Sequence, residues 1–346
     1  MTKSSRALAF VSATICLTLL AGCGGSKKKD KETPTPTPTT SASSTASASP
    51  SPKPKAINPF TGGAPSRNGV VAVKIDDTGN GRPPVNLDKA DIVYVEQVEG
   101  GLTRLLAIFN TTLPTVEPVR SVRANDPELL SQYGPIGFVA SGGAPDPLSR
   151  LDHSSLRAAI NDRGGPGFAR DGSRPAPYNL SSNLAVAARG VHAPRAKDIG
   201  LAFSALDAKK LGSAPGGTSI NTLVGQTGVS FRWDATRHRY LRYIGGSPQT
   251  TAAGALIGPQ NVIVQFCSVT PYPRDVDVAG NVAQFTHSIG KGRAVVYRNG
   301  HALEGRWSRP SAGSGTKFVS RLGNPIRLNP GTTWILLVAT NAPLSG

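Results

Sequence analysis

Residues 91–109 of this 346-residue sequence read DIVYVEQVEGGLTRLLAIF. Two apolar runs with β-branched residues flank the pair Gly100-Gly101. A glycine pair of this kind fills the two-residue turn of a β-hairpin, because both turn positions need positive φ. A further short apolar run, VVAVKID at residues 70–76, predicts a buried strand that ends in polar residues. These three strands are the expected centre of a sheet.

The glycine turn also predicts the register of the hairpin. A two-residue loop pairs Glu99 with Leu102 and Gln97 with Arg104. Glu99 then lies diagonal to Arg104 on one face of the sheet, whereas Glu96 points to the other face. Because burial of a single charge is costly, we expect the acid and the guanidinium to be partners.

Polar residues near these strand ends have two interpretations. One is a ligand site on the sheet, and the other is a buried ion pair that only fixes the hairpin. Arginines in the segments PVRSVR (118–123) and FARDGSRPAPYNL (168–180) suit recognition of a carboxylate or phosphate, or else they form local salt bridges. The candidate ligand-binding residues are Asp76, Asp77, Glu99, Arg104, Arg120, Arg123, Arg170 and Arg174.

The order of the predicted elements indicates an α+β fold with two domains. Over residues 57–212 strands alternate with short helices, which is typical of a mixed α/β domain. Residues 213–346 are rich in short strand patterns, and Asn299-Gly300 between RAVVYR and HALEGRWSR predicts another hairpin. We therefore expect an N-terminal mixed α/β domain followed by a basic, β-rich C-terminal domain.

The first 56 residues predict export and a lipid anchor. Residues 1–22 combine a positively charged start with an apolar segment at 7–20 that is too short for a transmembrane helix. Leu20-Ala21-Gly22-Cys23 resembles the lipobox of bacterial lipoproteins, in which the cysteine carries acyl chains such as palmitate. Residues 23–56 form a disordered tether of Pro, Ser, Thr, Ala and Lys. The predicted location is the extracytoplasmic face of the cell membrane.

The formal charge of +17 is unevenly distributed. Residues 57–212 contain 17 basic and 15 acidic side chains, whereas residues 213–346 contain 13 basic and 4 acidic ones. A basic exported domain favours an anionic partner, such as a phosphate-bearing wall polymer or lipid head groups, over nucleic acid. The alternative is that the charge only keeps the surface soluble. The basic residues of the predicted polyanion face are Arg232, Arg237, Arg239, Arg242, Arg293, Arg298, Arg306, Arg309, Lys317, Arg321 and Arg327.

The sequence lacks the motifs of several catalytic classes. It contains no Gly-x-Ser-x-Gly elbow and no Walker loop, and its five histidines show no metal-ligand spacing. Cys267 lies within a predicted strand, where a lone cysteine is usually a small buried hydrophobe. We therefore expect no metal and no cofactor. For an enzyme, the available acid and base are Asp76 and Glu99.

Several segments together resemble the YerB-like bacterial lipoproteins, a family with an N-terminal and a C-terminal domain. In order they are ADIVYVEQVEGGLTRLLAIF, PVRSVR, ASGGAP and FARDGSRPAPYNL, then FRWD, YLRY, NVIVQF and GRAVVYRNGHALEGRW. The resemblance covers most of residues 57–346, and VEGGLTR and PVRS are its most specific parts. It implies a two-domain envelope lipoprotein with no established reaction. Tyr178 departs from the family pattern, which has a histidine before Asn-Leu.

These observations favour a membrane-anchored, non-catalytic module that binds or scaffolds an anionic wall polymer or a wall-synthesis protein. The alternative is an enzyme that acts on cell-wall glycan, with Asp76 and Glu99 as acid and base. A third hypothesis is that the basic domain docks on membrane lipid. An open cleft around the two carboxylates favours the enzyme, whereas a dry pair of Glu99 with Arg104 favours the scaffold.

Overall fold

A ten-stranded mixed sheet organises the residues that the computed structural model describes, which are 56–205, 214–277 and 279–346. The predicted signal segment, Cys23 and all but the last residue of the tether lie outside these residues. Strands from both predicted domains belong to this sheet, and smaller sheets of five, three and two strands pack around it. The predicted α+β class is confirmed, with a mixed first region and a strand-rich second region.

The described residues of the first region form eight strands and three α-helices. The strands are β1 (Val71–Asp76), β2 (Ile92–Gln97), β3 (Thr103–Phe109), β4 (Thr115–Val116), β5 (Gly137–Ala140), β6 (Arg157–Ile160), β7 (Phe168–Arg170) and β8 (Leu180–Asn183). The helices are α1 (Asp126–Leu130), α2 (Pro145–Asp152) and α3 (Leu184–Gly190).

The second region consists of strands in the part of the chain that is described. They are β9 (Ser219–Val224), β10 (Thr227–Asp234), β11 (Arg239–Ile244), β12 (Ser247–Pro248), β13 (Asn261–Cys267), β14 (Val269–Val276), β15 (Val282–Thr286), β16 (Gly290–Arg298), β17 (His301–Arg309), β18 (Lys317–Ser320), β19 (Thr333–Ala339) and β20 (Leu344–Ser345). The predicted Asn299-Gly300 hairpin is confirmed, because Arg298 pairs with His301 across the turn between β16 and β17.

The two regions join where β2 and β19 pair in parallel at the centre of the large sheet. The strand order is β18-β17-β16-β13-β19-β2-β3-β1-β5-β6. Thr333 lies opposite Ile92 and Leu336 opposite Val95. Central strands with both faces covered need apolar residues throughout, which explains why every residue of β13, NVIVQFC, is buried.

The register of the β2–β3 hairpin differs from the prediction by one residue. Gln97 pairs with Thr103, and Glu96 lies opposite Arg104. The predicted pairings of Glu99 with Leu102 and of Gln97 with Arg104 are therefore wrong. Directly opposed residues share a face of a sheet, so Glu96 lies on the same face as Arg104 rather than on the other one.

Contacts from outside the hairpin explain the shift. The turn contains three residues, Glu99–Gly101, and both glycines have positive φ. The carbonyl of Gly101 accepts hydrogen bonds from the amide of Gln226 at 2.9 Å and from the hydroxyl of Thr227 at 3.1 Å. The loop between β9 and β10 thus holds the third turn residue in place.

The large sheet buries an apolar layer on each face. On one face, Val73 and Val95 pack with the five-stranded sheet β12-β11-β10-β9-β20, where Phe231 meets Trp334 edge-on at 5.6 Å between ring centroids. On the other face, Leu106 packs with residues of α1 and α2. Alternate side chains of a strand point to opposite faces, so each strand contributes to both layers.

Trp307 and Cys267 are part of this core. Trp307 is 2% exposed and donates a hydrogen bond from its indole nitrogen to the carbonyl of Phe266 at 2.8 Å. Cys267 is buried as a free thiol, and burial raises its pKa to about 12. No helix among the described residues is long and apolar enough to cross a membrane.

Candidate functional site

An open cavity of about 480 Å³ lies at the ends of β1 and β3. This volume falls within the usual range for small-molecule sites. Three segments wall the cavity: the β2–β3 hairpin, the loop before α1, and the arm formed by β14 and β15. Its charged and hydroxyl-bearing residues are Asp76, Thr78, Glu99, Thr103, Arg104, Arg120, Ser121, Arg123, Tyr178, Asp275 and Asp277. We call this cavity the arginine pocket, after Arg104, Arg120 and Arg123.

Asp76 and Arg120 form the first ion pair of the pocket. The guanidinium Nη1 of Arg120 lies 3.0 Å from Oδ2 of Asp76, and the guanidinium stacks over the ring of Tyr178 at 5.0 Å. Backbone pairing positions the two, because the amide of Asp76 donates to the carbonyl of Pro118 and the amide of Arg120 donates to the carbonyl of Lys74. Arg120 is thus held both by charge and by stacking.

Glu99 and Arg123 form the second ion pair. Nε of Arg123 lies 2.5 Å from Oε1 of Glu99, and its Nη2 donates to Oε2 at 2.7 Å. Burial acts to raise the pKa of Glu99, but the charge and hydrogen bond of Arg123 outweigh it, so the pKa is lowered. Glu99 therefore stays ionised at neutral pH. The partner of Glu99 is Arg123, and the predicted Glu99–Arg104 pair does not form.

Arg104 makes no ion pair and no hydrogen bond from its side chain with any residue that the structure describes. Its Nη1 atom is buried without a partner. Burial, together with the nearby charges of Arg123 and Arg120, lowers its pKa to about 9, against the opposing effect of Glu99 and Asp76. The side chain therefore remains a cation at neutral pH and has unused hydrogen-bond donors in the pocket.

Sequence reasoning missed the wall that the second region provides. β14 and β15 form a two-stranded sheet of their own, and their register is irregular between Tyr272 and Val276. Such an irregularity redirects the side chains beside it, and here Asp275 lines the pocket. One signal was available: Asp275 and Asp277 are two of only four acidic residues in residues 213–346.

A buried charge cluster supports the pocket from behind. Nζ of Lys74 donates to Oε2 of Glu96 at 2.8 Å and to Oδ1 of Asp126 at 2.6 Å, and all three side chains are 0% exposed. Oδ2 of Asp126 accepts a hydrogen bond from the amide of Arg123 at 2.7 Å. The cluster thereby connects β1 and β2 to the loop that carries Arg123.

This cluster makes a prediction about pH. Burial raises the pKa of Glu96 to about 7, because the attraction of Lys74 offsets only part of the desolvation and Asp126 adds repulsion. The folded chain then keeps a proton on Glu96 between its unfolded pKa of 4.5 and about 7, while the unfolded chain releases it. The contribution of Glu96 to stability is therefore greatest at low pH and falls as pH rises through this window.

Glu96→Gln imitates the protonated acid and is expected to remove this contribution. We expect the free energy of unfolding of the variant, relative to the wild type, to rise by about 3 kcal/mol between pH 4 and pH 8. Urea unfolding at both pH values measures the difference and cancels the titration of other groups. A difference that stays constant with pH would show that the pKa of Glu96 in the folded chain equals its unfolded value.

Three predicted site residues do not line the pocket. Asp77 lies behind it and accepts two hydrogen bonds from Arg242, at 2.8 and 2.7 Å, where both side chains are buried. Arg174 lies 3.3 Å from Glu117 and donates to backbone carbonyls. Arg170 is exposed and donates to the side chain of Asn179. The pocket brings together the other five, Asp76, Glu99, Arg104, Arg120 and Arg123.

The basic face of the second region is smaller than predicted, because three of its arginines are buried. Arg242 pairs with Asp77, Arg298 donates to the carbonyl of Ser204 at 3.0 Å, and Arg309 donates to the carbonyl of Glu128 at 2.6 Å. These side chains are 0–1% exposed and support the fold. Among the residues described, no group of three or more His, Cys, Asp or Glu side chains is arranged to hold a metal ion.

Comparison with known proteins identifies relatives of this chain. A Bacillus subtilis (strain 168) protein named "Putative lipoprotein YerB" is 28% identical over 282 residues, which are 78% of this chain and 80% of that protein. The crystal structure of YerB protein from Bacillus subtilis matches with a TM-score of 0.71 at 23% identity, and covers 84% of this chain and all of the other. At this identity the structural match shows a shared fold.

Two family models match the chain in succession. "Protein of unknown function (DUF3048) N-terminal domain" matches residues 60–196, and the corresponding C-terminal domain matches residues 219–335. Together they span nearly three quarters of the sequence. The YerB match joins both regions in one relative. The chain therefore belongs to the two-domain DUF3048 family, the family of YerB.

Proposed function

We propose that this chain is a cell-envelope lipoprotein that binds an anionic group of an envelope component in the arginine pocket and leaves it chemically unchanged. The observation that carries the proposal is Arg104, whose buried Nη1 has no partner in a cavity that also holds Arg120 and Arg123. A buried donor without a partner costs free energy, and a carboxylate or phosphate would supply the missing acceptor.

The electrostatics of the pocket support an anion over a neutral ligand. Three guanidinium groups lie close enough for Arg120 and Arg123 to lower the pKa of Arg104. Asp76 and Glu99 each compensate one arginine, and the other two carboxylates of the pocket, Asp275 and Asp277, form no ion pair with Arg104. An anion that enters the pocket relieves this repulsion and binds in a setting partly shielded from water, where charge interactions are stronger.

The open cavity around Asp76 and Glu99 is the arrangement expected for the glycan-cleaving alternative, but the ion pairs of both carboxylates argue against it. A general acid for glycoside hydrolysis needs a raised pKa, so that it carries a proton at working pH. The pKa of Glu99 is instead lowered by Arg123. Both carboxylates already hold an arginine, so their evident role is to position the guanidinium groups.

The cellular location in this proposal rests on the sequence and on a relative. The sequence from Leu20 to Cys23 resembles a lipobox after an apolar segment, and the relative from Bacillus subtilis bears the name of a lipoprotein. We propose that lipid on Cys23 anchors the chain at the extracytoplasmic face of the membrane. The proline-rich tether after it has a reach of up to about 100 Å, which suits a ligand in the wall, either a polymer or a wall-synthesis protein.

Sedimentation with purified cell wall tests this function. The chain from residue 23 onward, with Cys23→Ser to prevent lipidation, is mixed with wall before and after removal of its phosphate polymers. We expect Arg104→Gln to weaken binding at least about 10-fold, because the variant loses a charge-assisted hydrogen bond in a site shielded from water. Binding that disappears with the polymers identifies phosphate as the anion, and binding that persists identifies the carboxylates of the remaining wall.

Arg306→Gln is the matched control. Arg306 is exposed on β17 and also belongs to the predicted polyanion face, so the variant removes the same charge from a surface site. We expect its binding to stay within about 2-fold of the wild type. Equal losses in the two variants would show that general surface charge, and not the pocket, binds the wall.

A further inference from the structure

The arm formed by β14 and β15 is fixed in place over the arginine pocket. Oη of Tyr272 donates to Oδ2 of Asp146 at 2.6 Å, and the guanidinium of Arg150 stacks on the rings of Tyr272 and Phe285 at 5.7 and 5.2 Å. These contacts tie the arm to α2 of the first region. Its position, and with it the position of Asp275, is therefore built into the fold.

Asp275 is a buried carboxylate without a partner. The residue is 4% exposed, and its Oδ2 atom accepts no hydrogen bond. It makes no ion pair with any of the residues placed by the structure. Burial raises its pKa. The charges of Arg123 and Arg104 lower it, but neither guanidinium forms an ion pair with Asp275. An uncompensated buried carboxylate destabilises a fold, so such groups are rare without a function.

The other charged side chains of the pocket already have partners. Arg120 is paired with Asp76, and Arg123 with Glu99. The carboxylate of Asp277 accepts hydrogen bonds within its own turn, from the amides of residues 279 and 281 and from the side-chain amide of 281. In the described part of the chain, the pocket thus has two charged groups that no side chain satisfies, the cation Arg104 and the anion Asp275.

We infer that the ligand of the arginine pocket is zwitterionic, with an anionic group that binds Arg104 and an ammonium group that binds Asp275. This inference rests on the proposed function and adds the second charge of the ligand. An anion alone would leave Asp275 unpaired and would be repelled by it, whereas an added ammonium group satisfies the carboxylate. Amino acids, peptide ends and phosphate esters of amino alcohols carry this pair of charges.

Matched probe pairs that differ only in the ammonium group test the inference. Calorimetric titration compares glycine with acetate, 4-aminobutyrate with butyrate, and phosphoethanolamine with ethyl phosphate. We expect at least one zwitterion to bind about 10-fold more tightly than its anionic counterpart, the effect of one charge-assisted hydrogen bond. The first two pairs vary the distance between the charges, and the third distinguishes a phosphate source from a carboxylate source.

Asp275→Asn is expected to abolish the preference for the zwitterion, because the amide has no charge for the ammonium group. Binding of the plain anion should be unchanged or tighter. Asp152→Asn removes an exposed carboxylate outside the pocket, where it pairs with Arg163, and should keep the preference within about 2-fold. The melting temperature of Asp275→Asn should equal or exceed that of the wild type, whereas a structural role for Asp275 predicts a decrease.

If no zwitterion binds more tightly than its anionic counterpart, the inference is wrong, and this includes the case in which no probe binds. A preference that survives Asp275→Asn would also overturn it. The proposed function is judged separately by the sedimentation of Arg104→Gln with cell wall. If Arg104→Gln no longer sediments with cell wall and no probe pair shows a zwitterion preference, the proposed anion site is retained. Only the inference of an ammonium group on the ligand is then rejected.

Discussion

Replacing Lys74 with methionine is expected to lower the free energy of unfolding by about 3–5 kcal/mol, one of the two largest effects we predict. Nζ of Lys74 is the common partner of Glu96 and Asp126 in a cluster that is 0% exposed. Methionine is similar in length but has no charge, so it leaves Asp126 buried without a cation and makes Glu96 take up a proton when the chain folds. Urea unfolding at pH 7 measures the loss.

The double variant Lys74→Met/Glu96→Gln should recover part of this loss, because glutamine needs no proton to be buried. Lys89→Met is the control: Lys89 pairs with Asp88 at 2.8 Å, but its side chain is 53% exposed. An exposed pair of this kind contributes about 0–1 kcal/mol. If Lys74→Met were no more destabilising than Lys89→Met, the buried cluster would not support the pocket as described.

Replacing Arg242 with methionine is expected to cost a similar amount, about 3–5 kcal/mol. Arg242 on β11 donates two parallel hydrogen bonds to Asp77, and it also stacks over the ring of Trp334 at 5.3 Å. This pair connects the five-stranded sheet to the end of β1. Without the guanidinium, Asp77 keeps Thr103 as a hydrogen-bond donor at 2.7 Å and Arg82 at 3.5 Å.

A double-mutant cycle with Asp77→Asn isolates the interaction between the two side chains. We expect a coupling energy of about 2–3 kcal/mol, the upper part of the range for residues in contact. Arg237→Met tests the specificity of the effect, since Arg237 pairs with Asp234 at 2.7 Å with half of its side chain exposed and should lose less than about 1 kcal/mol. A coupling energy near zero would mean that Asp77 does not depend on Arg242.

Local sequence patterns sufficed to predict the central strands. The apolar runs around Gly100-Gly101 and the Asn299-Gly300 turn carry their information within a few residues, and both hairpins form. The register of the first hairpin could not be predicted from its turn, because the loop between β9 and β10 holds Gly101 from more than 120 residues away in sequence. A shift of one residue was enough to change the predicted partners.

The same distinction applies to the pocket. Arg104 could be selected because a charge within an apolar strand needs an explanation, but the sequence could not show that it forms no ion pair with any described residue. Glu99 pairs instead with Arg123, which a separate loop brings to it. The position of Asp275 in the pocket could not be predicted from the sequence, because it depends on the β14–β15 arm and on the irregular pairing of those two strands. The number of basic residues also led to a wrong prediction for Arg242. It was assigned to a basic surface, but it is buried and forms an ion pair with Asp77.

The central claim is that a single anion-binding site lies at Arg104. The most direct test is calorimetric titration of the Cys23→Ser chain with soluble fragments released from purified wall. The account predicts one site per chain in the wild type and in Arg306→Gln, and at least about 10-fold weaker binding in Arg104→Gln. Binding of equal strength in Arg104→Gln, or several equivalent sites lost together as salt rises, would contradict it.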